Sequence, residues 1–182
     1  MTADDRRPPM PGRRACLGAG LALGGCGFRP LYAPMATGPG PAAAALAAIY
    51  VPIFGERPGQ LLRQALQQRF EGRGNGVAKT YELVAAISIV GDGIAVQRDN
   101  STTRVRLTGS APWTLRTLSL DHAVLTQGTT RTLDGYNIIA QQFFAAELEN
   151  DAAQRRIVSA LADQITIQLG AFFLERAKAA AG

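Results

Sequence analysis

The sequence predicts a two-layer α+β domain in which a mixed four-stranded β-sheet carries two α-helices on one face. Alternation of apolar and polar residues in several segments of residues 49–132 predicts the strands. Two other segments, around Leu66 and Leu161, repeat apolar residues at helical spacing. The segments follow one another in the order β-α-β-β-β-α, and no internal repeat interrupts them.

The first strand is predicted over residues 49–54, where apolar side chains alternate. Pro52 cannot donate a hydrogen bond to a neighbouring strand, so we expect this strand at an edge of the sheet. The first helix follows, because Leu62, Leu66 and Phe70 recur at helical spacing before a glycine-rich turn.

Three further strands are predicted after this helix. The second covers residues 83–89, and the sequence Gly-Asp-Gly at residues 91–93 favours a hairpin directly after it. The third runs over residues 103–118, with Pro112 predicting a bulge or an unpaired position. The fourth is placed at residues 123–132.

A long apolar stripe predicts the last helix, and we expect this stripe to pack against the second strand. Asp151 and Gln154 have the spacing of a capping box, although residues 143–148 allow an earlier start. The stripe consists of Ala153, Ile157, Leu161, Ile165, Leu169 and Phe172.

The first 25 residues have the order of a secretory signal. Four arginines precede an apolar run at residues 15–23, and Gly24 and Gly25 follow it. This run is far shorter than the roughly 20 residues that a membrane-spanning helix needs. We therefore predict a signal peptide over residues 1–25, with ordinary secretion favoured over twin-arginine export.

Cys26 follows these small residues in the sequence Leu-Gly-Gly-Cys, which resembles the lipobox of bacterial lipoproteins. This resemblance implies cleavage between Gly25 and Cys26 and covalent acylation of the cysteine. The residues that follow are rich in Pro, Gly and Ala and do not alternate. We therefore predict a lipidated Cys26 with a flexible tether over residues 26–47, and a single α+β domain over residues 48–182.

The composition argues against nucleic-acid binding and catalysis. Four of the 19 basic and two of the 14 acidic residues lie in the signal, which leaves a mature net charge of +3 without a dense basic block. The sole histidine, His122, lies in a predicted turn, and no metal-ligand spacing, phosphate loop or nucleophile motif is present. We predict a non-enzymatic protein with no metal and no cofactor other than the lipid on Cys26.

Arg104 and Arg106 are the candidate binding residues. They lie two positions apart on the predicted third strand, so their side chains share one face with about 7 Å between them. They are either part of an ordinary solvated sheet face or contacts for phosphate groups, which guanidinium groups bind well.

The segment after the lipobox reads Cys-Gly-Phe-Arg-Pro-Leu-Tyr at residues 26–32, and it resembles the lipopolysaccharide-assembly lipoprotein family LptE. Weaker similarities follow in the expected order, at residues 60–63, at Thr103-Arg104, at Tyr136-Asn137 and at residues 150–152. The turn between the third and fourth strands departs from the family pattern, which leaves the register there open.

The resemblance implies a lipoprotein that is anchored in the outer membrane and faces the periplasm or the lumen of an LptD-type β-barrel. It would assist assembly of that barrel and help deliver lipopolysaccharide to the outer leaflet. Arg104 and Arg106 would then be candidate contacts for lipopolysaccharide. Two alternatives stay open: an auxiliary lipoprotein subunit of a lipid-trafficking ABC transporter, and a structural envelope lipoprotein without a ligand.

Overall fold

The fold is taken from a computed structural model, which describes residues 40–71, 76–96, 102–138 and 142–181. It confirms the predicted α+β class, but within these ranges there are five strands and three helices rather than four and two. In chain order they are α1 (Pro41–Ala47), β1 (Ile49–Tyr50), α2 (Glu56–Glu71), β2 (Tyr81–Ala85), β3 (Ser88–Val96), β4 (Thr102–Thr117), β5 (Val124–Asn137) and α3 (Phe143–Ala181).

Strand β4 is the centre of an open mixed sheet. β5 pairs antiparallel with one edge of β4 from Arg104 to Arg116. Because β5 occupies that edge along nearly all of β4, β2 and β3 share the other edge. Both are antiparallel to β4: β2 pairs with its carboxyl-terminal part and β3 with its amino-terminal part. The first strand is shorter than the predicted residues 49–54: β1 covers only Ile49–Tyr50, so Pro52 lies outside it. β1 adds to β2 in parallel and lies at the edge of the sheet, where the strand was expected.

Pro112 explains why β2 and β3 are two strands instead of one. The Pro112 carbonyl accepts a hydrogen bond from the N–H of Ala86, so this position of β4 faces the connection between β2 and β3. Proline has no N–H to donate on the same side, and the ladder is therefore interrupted there. The predicted unpaired position at Pro112 is confirmed.

The predicted hairpin at residues 91–93 is wrong. Gly91 and Gly93 lie within β3 and pair with Leu107 and Val105 of β4, and a register shift follows Gly93. Glycine within a strand commonly marks a bulge or a close approach of the neighbouring strand rather than a turn. A Cβ atom on Gly91 would lie 3.1 Å from the Leu107 side chain, which fits this second role.

The end of the predicted tether is also corrected, because Pro41–Ala47 is helix α1. Ala42 and Leu46 of this helix are each 1% exposed and belong to the hydrophobic core. Alanine has the highest helix propensity, and proline is favoured at the first helical position, where Pro41 lies. The folded domain therefore includes residues that their Pro, Gly and Ala content had assigned to a linker.

Helix α3 packs across β5 and β4, not chiefly on β2 as predicted. The small residues Gly109 and Ala111 lie on the buried face of β4, and a Cβ atom on Gly109 would collide with the Ile157 side chain. Phe173 replaces the predicted Phe172 in the core, with its ring 5.2 Å from that of Tyr81. The other five residues of the predicted stripe are buried: Ala153, Ile157, Leu161, Ile165 and Leu169.

Two ion pairs show that α2 and α3 run parallel. Arg57 binds Asp151 and Arg69 binds Asp163, each at 2.7 Å and each across 94 residues of sequence. Helix α3 begins at Phe143, which confirms the earlier start that residues 143–148 allowed. Asp151 therefore lies inside the helix and does not form the capping box that its spacing with Gln154 also permitted.

Helix α3 is long and apolar enough to cross a membrane by length and composition. However, half of its most apolar window is buried inside the domain. Burial of this kind is expected of a core helix in a globular domain, and the residues along its buried stripe supply that core.

Candidate functional site

The face of the sheet opposite the helices carries the candidate binding residues. Along β4 the buried side chains alternate with outward ones, because successive residues of a strand point to opposite faces. Arg104 and Arg106 both point outward and are exposed, opposite Asn137 and Gly135 of β5. The structure therefore brings the two predicted residues together on one open surface.

The charge on this face is uneven along β4. Near the amino-terminal end, Asp92 of β3 is opposite Arg106, and Arg131 of β5 lies further along the same face. Among the described residues, neither Arg104 nor Arg106 forms an ion pair. At the other end of β4, Nε of Arg116 donates to Glu82 at 2.7 Å, and this pair is neutral.

An ion pair links helix α3 to β5 on the face of the sheet opposite Arg104 and Arg106, which we call the cationic end of β4. Asp134 of β5 accepts hydrogen bonds from Arg156 at 2.6 Å and from the N–H of Gly135 at 2.7 Å. The bond from Arg156 is the main reason that the pKa of Asp134 lies below its ordinary value, although partial burial opposes the shift. Because Gly135 is opposite Arg106, these bonds fix the strand that supports the cationic pair.

A shallow concavity of about 530 Å³ lies where β2 and β3 separate. It is open to solvent, and none of the described residues that line it is charged. Its lining residues are Val84, Ala85, Ala86, Pro112, Trp113, Thr114, Gln127, Gly128 and Thr129.

The histidine and the acidic residues near the start of α3 are either exposed to solvent or bound in ion pairs. His122 is exposed in the turn after β4 with a positive φ of 44°. Glu147 and Glu149 are exposed on the first turns of α3, and Asp151 is engaged by Arg57 and Arg155. No group of acidic, histidine or cysteine side chains within the described ranges could hold a metal ion.

Gly25 and Cys26 lie outside the described residues. Cleavage between them and acylation of the cysteine therefore stay predictions from the sequence. The same holds for the signal peptide and for most of the predicted tether.

The described residues form a small α+β domain with one exposed sheet face. Solved structures share this fold. A protein from Caulobacter crescentus CB15 assigned as a lipoprotein is 22% identical, with a TM-score of 0.59 over 73% of this chain and 96% of its own. The rare lipoprotein B from Shewanella oneidensis is 11% identical, with a TM-score of 0.53 over 70% and 95%.

The family described as "LptE: Lipopolysaccharide-assembly" matches residues 46–169, from the end of α1 to the carboxyl-terminal half of α3. The chain therefore belongs to the LptE family. The resemblance found in the sequence is confirmed. No curated protein sequence is similar to this chain.

Reasoning from the sequence missed two features of the surface. Arg131 was not included with the candidate residues, although its alternation with Thr130 and Thr132 could have placed it on the outer face. The neutral pair of Arg116 and Glu82 was also missed, because pairing across strands depends on a register that the sequence does not show.

Proposed function

We propose that this protein is an outer-membrane lipoprotein that binds an LptD-type β-barrel, assists its assembly and helps deliver lipopolysaccharide to the outer leaflet. The family match over residues 46–169 supports this proposal most directly. The two solved structures named above belong to lipoproteins, which is consistent with an envelope location. Membership in a family defined by lipopolysaccharide assembly also supports a non-enzymatic role.

Anchoring would occur through acyl chains on Cys26. Each buried methylene contributes about 0.8 kcal/mol, so two or more chains hold a protein far more firmly than one. In a Cys26→Ala variant we expect unprocessed or soluble protein, as measured by intact mass and membrane fractionation. Unchanged mass and fractionation would contradict the anchor.

The barrel partner is tested by purification from solubilised outer membranes. We expect a stoichiometric β-barrel protein to co-purify, and depletion of the lipoprotein should lower the amount of correctly assembled barrel. An inner-membrane ABC permease in its place would support the transporter-subunit alternative. If no protein co-purified at stoichiometric amounts, a structural lipoprotein would be the better description.

Arg104 and Arg106 are proposed to contact the phosphates of lipopolysaccharide. They are adjacent on one exposed face and form no ion pair among the described residues, so both guanidinium groups can donate to an anion. A hydrogen bond to a charged group contributes roughly 1.5–3 kcal/mol, and less where salt screens it.

Replacing both arginines with alanine should therefore weaken lipopolysaccharide binding at least about tenfold at low salt. The difference from the wild type should shrink as ionic strength rises. The Arg104→Lys and Arg106→Lys double variant is the matched control, because it keeps both charges but loses the two-pronged geometry. Equal affinity of the wild type and the alanine variant at low salt would assign this face to solvent.

A further inference from the structure

The turn between β4 and β5 has an apolar tip. Leu120 is 101% exposed, Leu118 is 40% exposed, and Val124 at the start of β5 is 62% exposed. A single exposed leucine is common on protein surfaces, but a contiguous group on one projecting turn commonly marks a contact site. We refer to residues 118–124 as the apolar turn.

Hydrogen bonds hold this turn in a fixed shape. The N–H of Thr117 donates to the carbonyl of Ala123 at 2.9 Å, which closes its base. The carboxylate of Asp121 accepts hydrogen bonds from the hydroxyl groups of Ser119 and Thr117. These bonds, chiefly the one from Ser119, lower the pKa of Asp121, so the turn carries one negative charge. Leu120 projects to solvent from this ordered support, and no described residue covers it.

The apolar turn lies at the end of the sheet where the chain enters the domain. The N–H of Leu118 donates to the carbonyl of Thr80 at 2.9 Å, and the N–H of Thr80 donates to the carbonyl of Ala48 at 2.9 Å. Ala48 directly follows α1, which is only about 10 Å long at 1.5 Å per residue. The segment from Cys26 to Gly40 can span at most about 46 Å when it is fully extended.

The charges near the carboxyl-terminal end of β4 also indicate which kind of surface the apolar turn contacts. Arg116 is neutralised by Glu82, which is only 12% exposed, so the surface beside the turn lacks the free cations of the opposite end. A tip with exposed apolar side chains and one carboxylate repels a polyanion, so the hydrocarbon of a bilayer suits its apolar side chains better. The short length of chain back to Cys26 keeps such a surface within reach.

We propose that the apolar turn inserts into the lipid surface to which Cys26 is anchored, so that the protein touches the membrane at two points. This inference rests on the acyl anchor of the proposed function. Apolar side chains at an interface are buried about 5–10 Å below the headgroups. The anchor raises the local concentration of the turn at the membrane, so even a weak second contact is populated.

The test uses the processed, acylated protein in phospholipid vesicles, with an NBD fluorophore on a single introduced cysteine. Leu120→Cys reports on the apolar turn. Leu133→Cys is the matched control, because Leu133 is 66% exposed on the outer face of β5, away from the turn. We expect the label at position 120 to show blue-shifted emission and strong quenching by doxyl-labelled lipids, and the label at position 133 to keep the emission of a water-exposed probe.

Equal, water-like emission at both positions would overturn the proposal. So would a blue shift at position 120 that needs the barrel partner or a high protein density and is not quenched by doxyl lipids, because a protein would then cover the turn. Vesicle flotation of the labelled proteins separates this failure from a missing anchor, since protein without acyl chains would not float. Salt should leave the quenching at position 120 unchanged, whereas it weakens binding through arginines.

Discussion

The two ends of β4 carry opposite chemistry on a continuous strand. Arg104 and Arg106 make the amino-terminal end cationic, whereas the other end has the neutral Arg116–Glu82 pair, the exposed Leu120 and the carboxylate of Asp121. From Arg104 to Thr117 the strand covers about 44 Å at 3.4 Å per residue. The cationic and the exposed apolar side chains of this sheet are therefore separated along one strand.

The largest expected effect is a loss of stability from a substitution in the hydrophobic core, which supports both ends of β4. Leu161 lies on the buried face of α3 and is fully buried, and replacing it with alanine should lower the free energy of unfolding by roughly 2–5 kcal/mol. Lipopolysaccharide binding and lipid contact at the turn should then be lost together as the domain unfolds. Urea denaturation measures the change. Ile167→Ala is the control, because Ile167 is on the same helix but 61% exposed; an equal loss in both variants would contradict the assigned helix face.

A smaller effect is expected where α3 crosses β4. Gly109→Ala places a methyl group against Ile157, and overpacking of this kind typically costs about 1–3 kcal/mol. Gly55→Ala is the matched control, because a Cβ atom there meets nothing within 4 Å. Thermal unfolding of both variants tests the contact. If Gly109→Ala were as stable as Gly55→Ala, the helix would not lie as close to β4 as described.

The smallest expected effect is confined to the cationic end and depends on pH. The pKa of Asp134 is lowered in the folded protein, chiefly by Arg156, so ionised Asp134 stabilises the fold above its unfolded value of 3.8. That stability is lost as the pH falls through the lower pKa of the folded state. Asp134→Asn should therefore be less stable than the wild type at neutral pH, and the difference should vanish in strong acid.

Asp134→Asn should leave lipid quenching at position 120 unchanged, because Asp134 lies near the other end of the sheet. Stability at neutral pH and in strong acid, measured together with both binding assays, tests whether the effect of Asp134 is confined to the cationic end of β4. A stability difference that persists in acid would show that the carboxylate charge is not its cause.

Much of the fold follows from local patterns that could be identified in the sequence. The alternation along β4 placed Arg104 and Arg106 on one face, and the helical stripe through Leu161 identified the core side of α3. These predictions succeed because side-chain direction in a strand or helix is fixed by local geometry. The interruption of pairing at Pro112 could also be predicted, because proline has no backbone N–H to donate to a neighbouring strand in any sheet.

Other features depend on which segments meet in space. Alanines at residues 42–45 fit either a linker or a helix, and only burial of α1 against the core decides between them. Gly91 and Gly93 permit either a hairpin or a bulge, and the length of β4 that is available for pairing decides. Acylation at Cys26 stays a prediction. The lipobox is recognised by processing enzymes, and it does not determine how side chains pack in the folded domain.

The parallel pairing of α2 and α3 constrains how the chain folds. The ion pairs at Arg57 and Arg69 join residues that are 94 positions apart, and α3 supplies the last helix of the core. Contacts of such long sequence separation form slowly, because a large loop must be closed first. The apolar face of α2 stays exposed until α3 is available to cover it, so we expect this protein to depend on a holding chaperone until then.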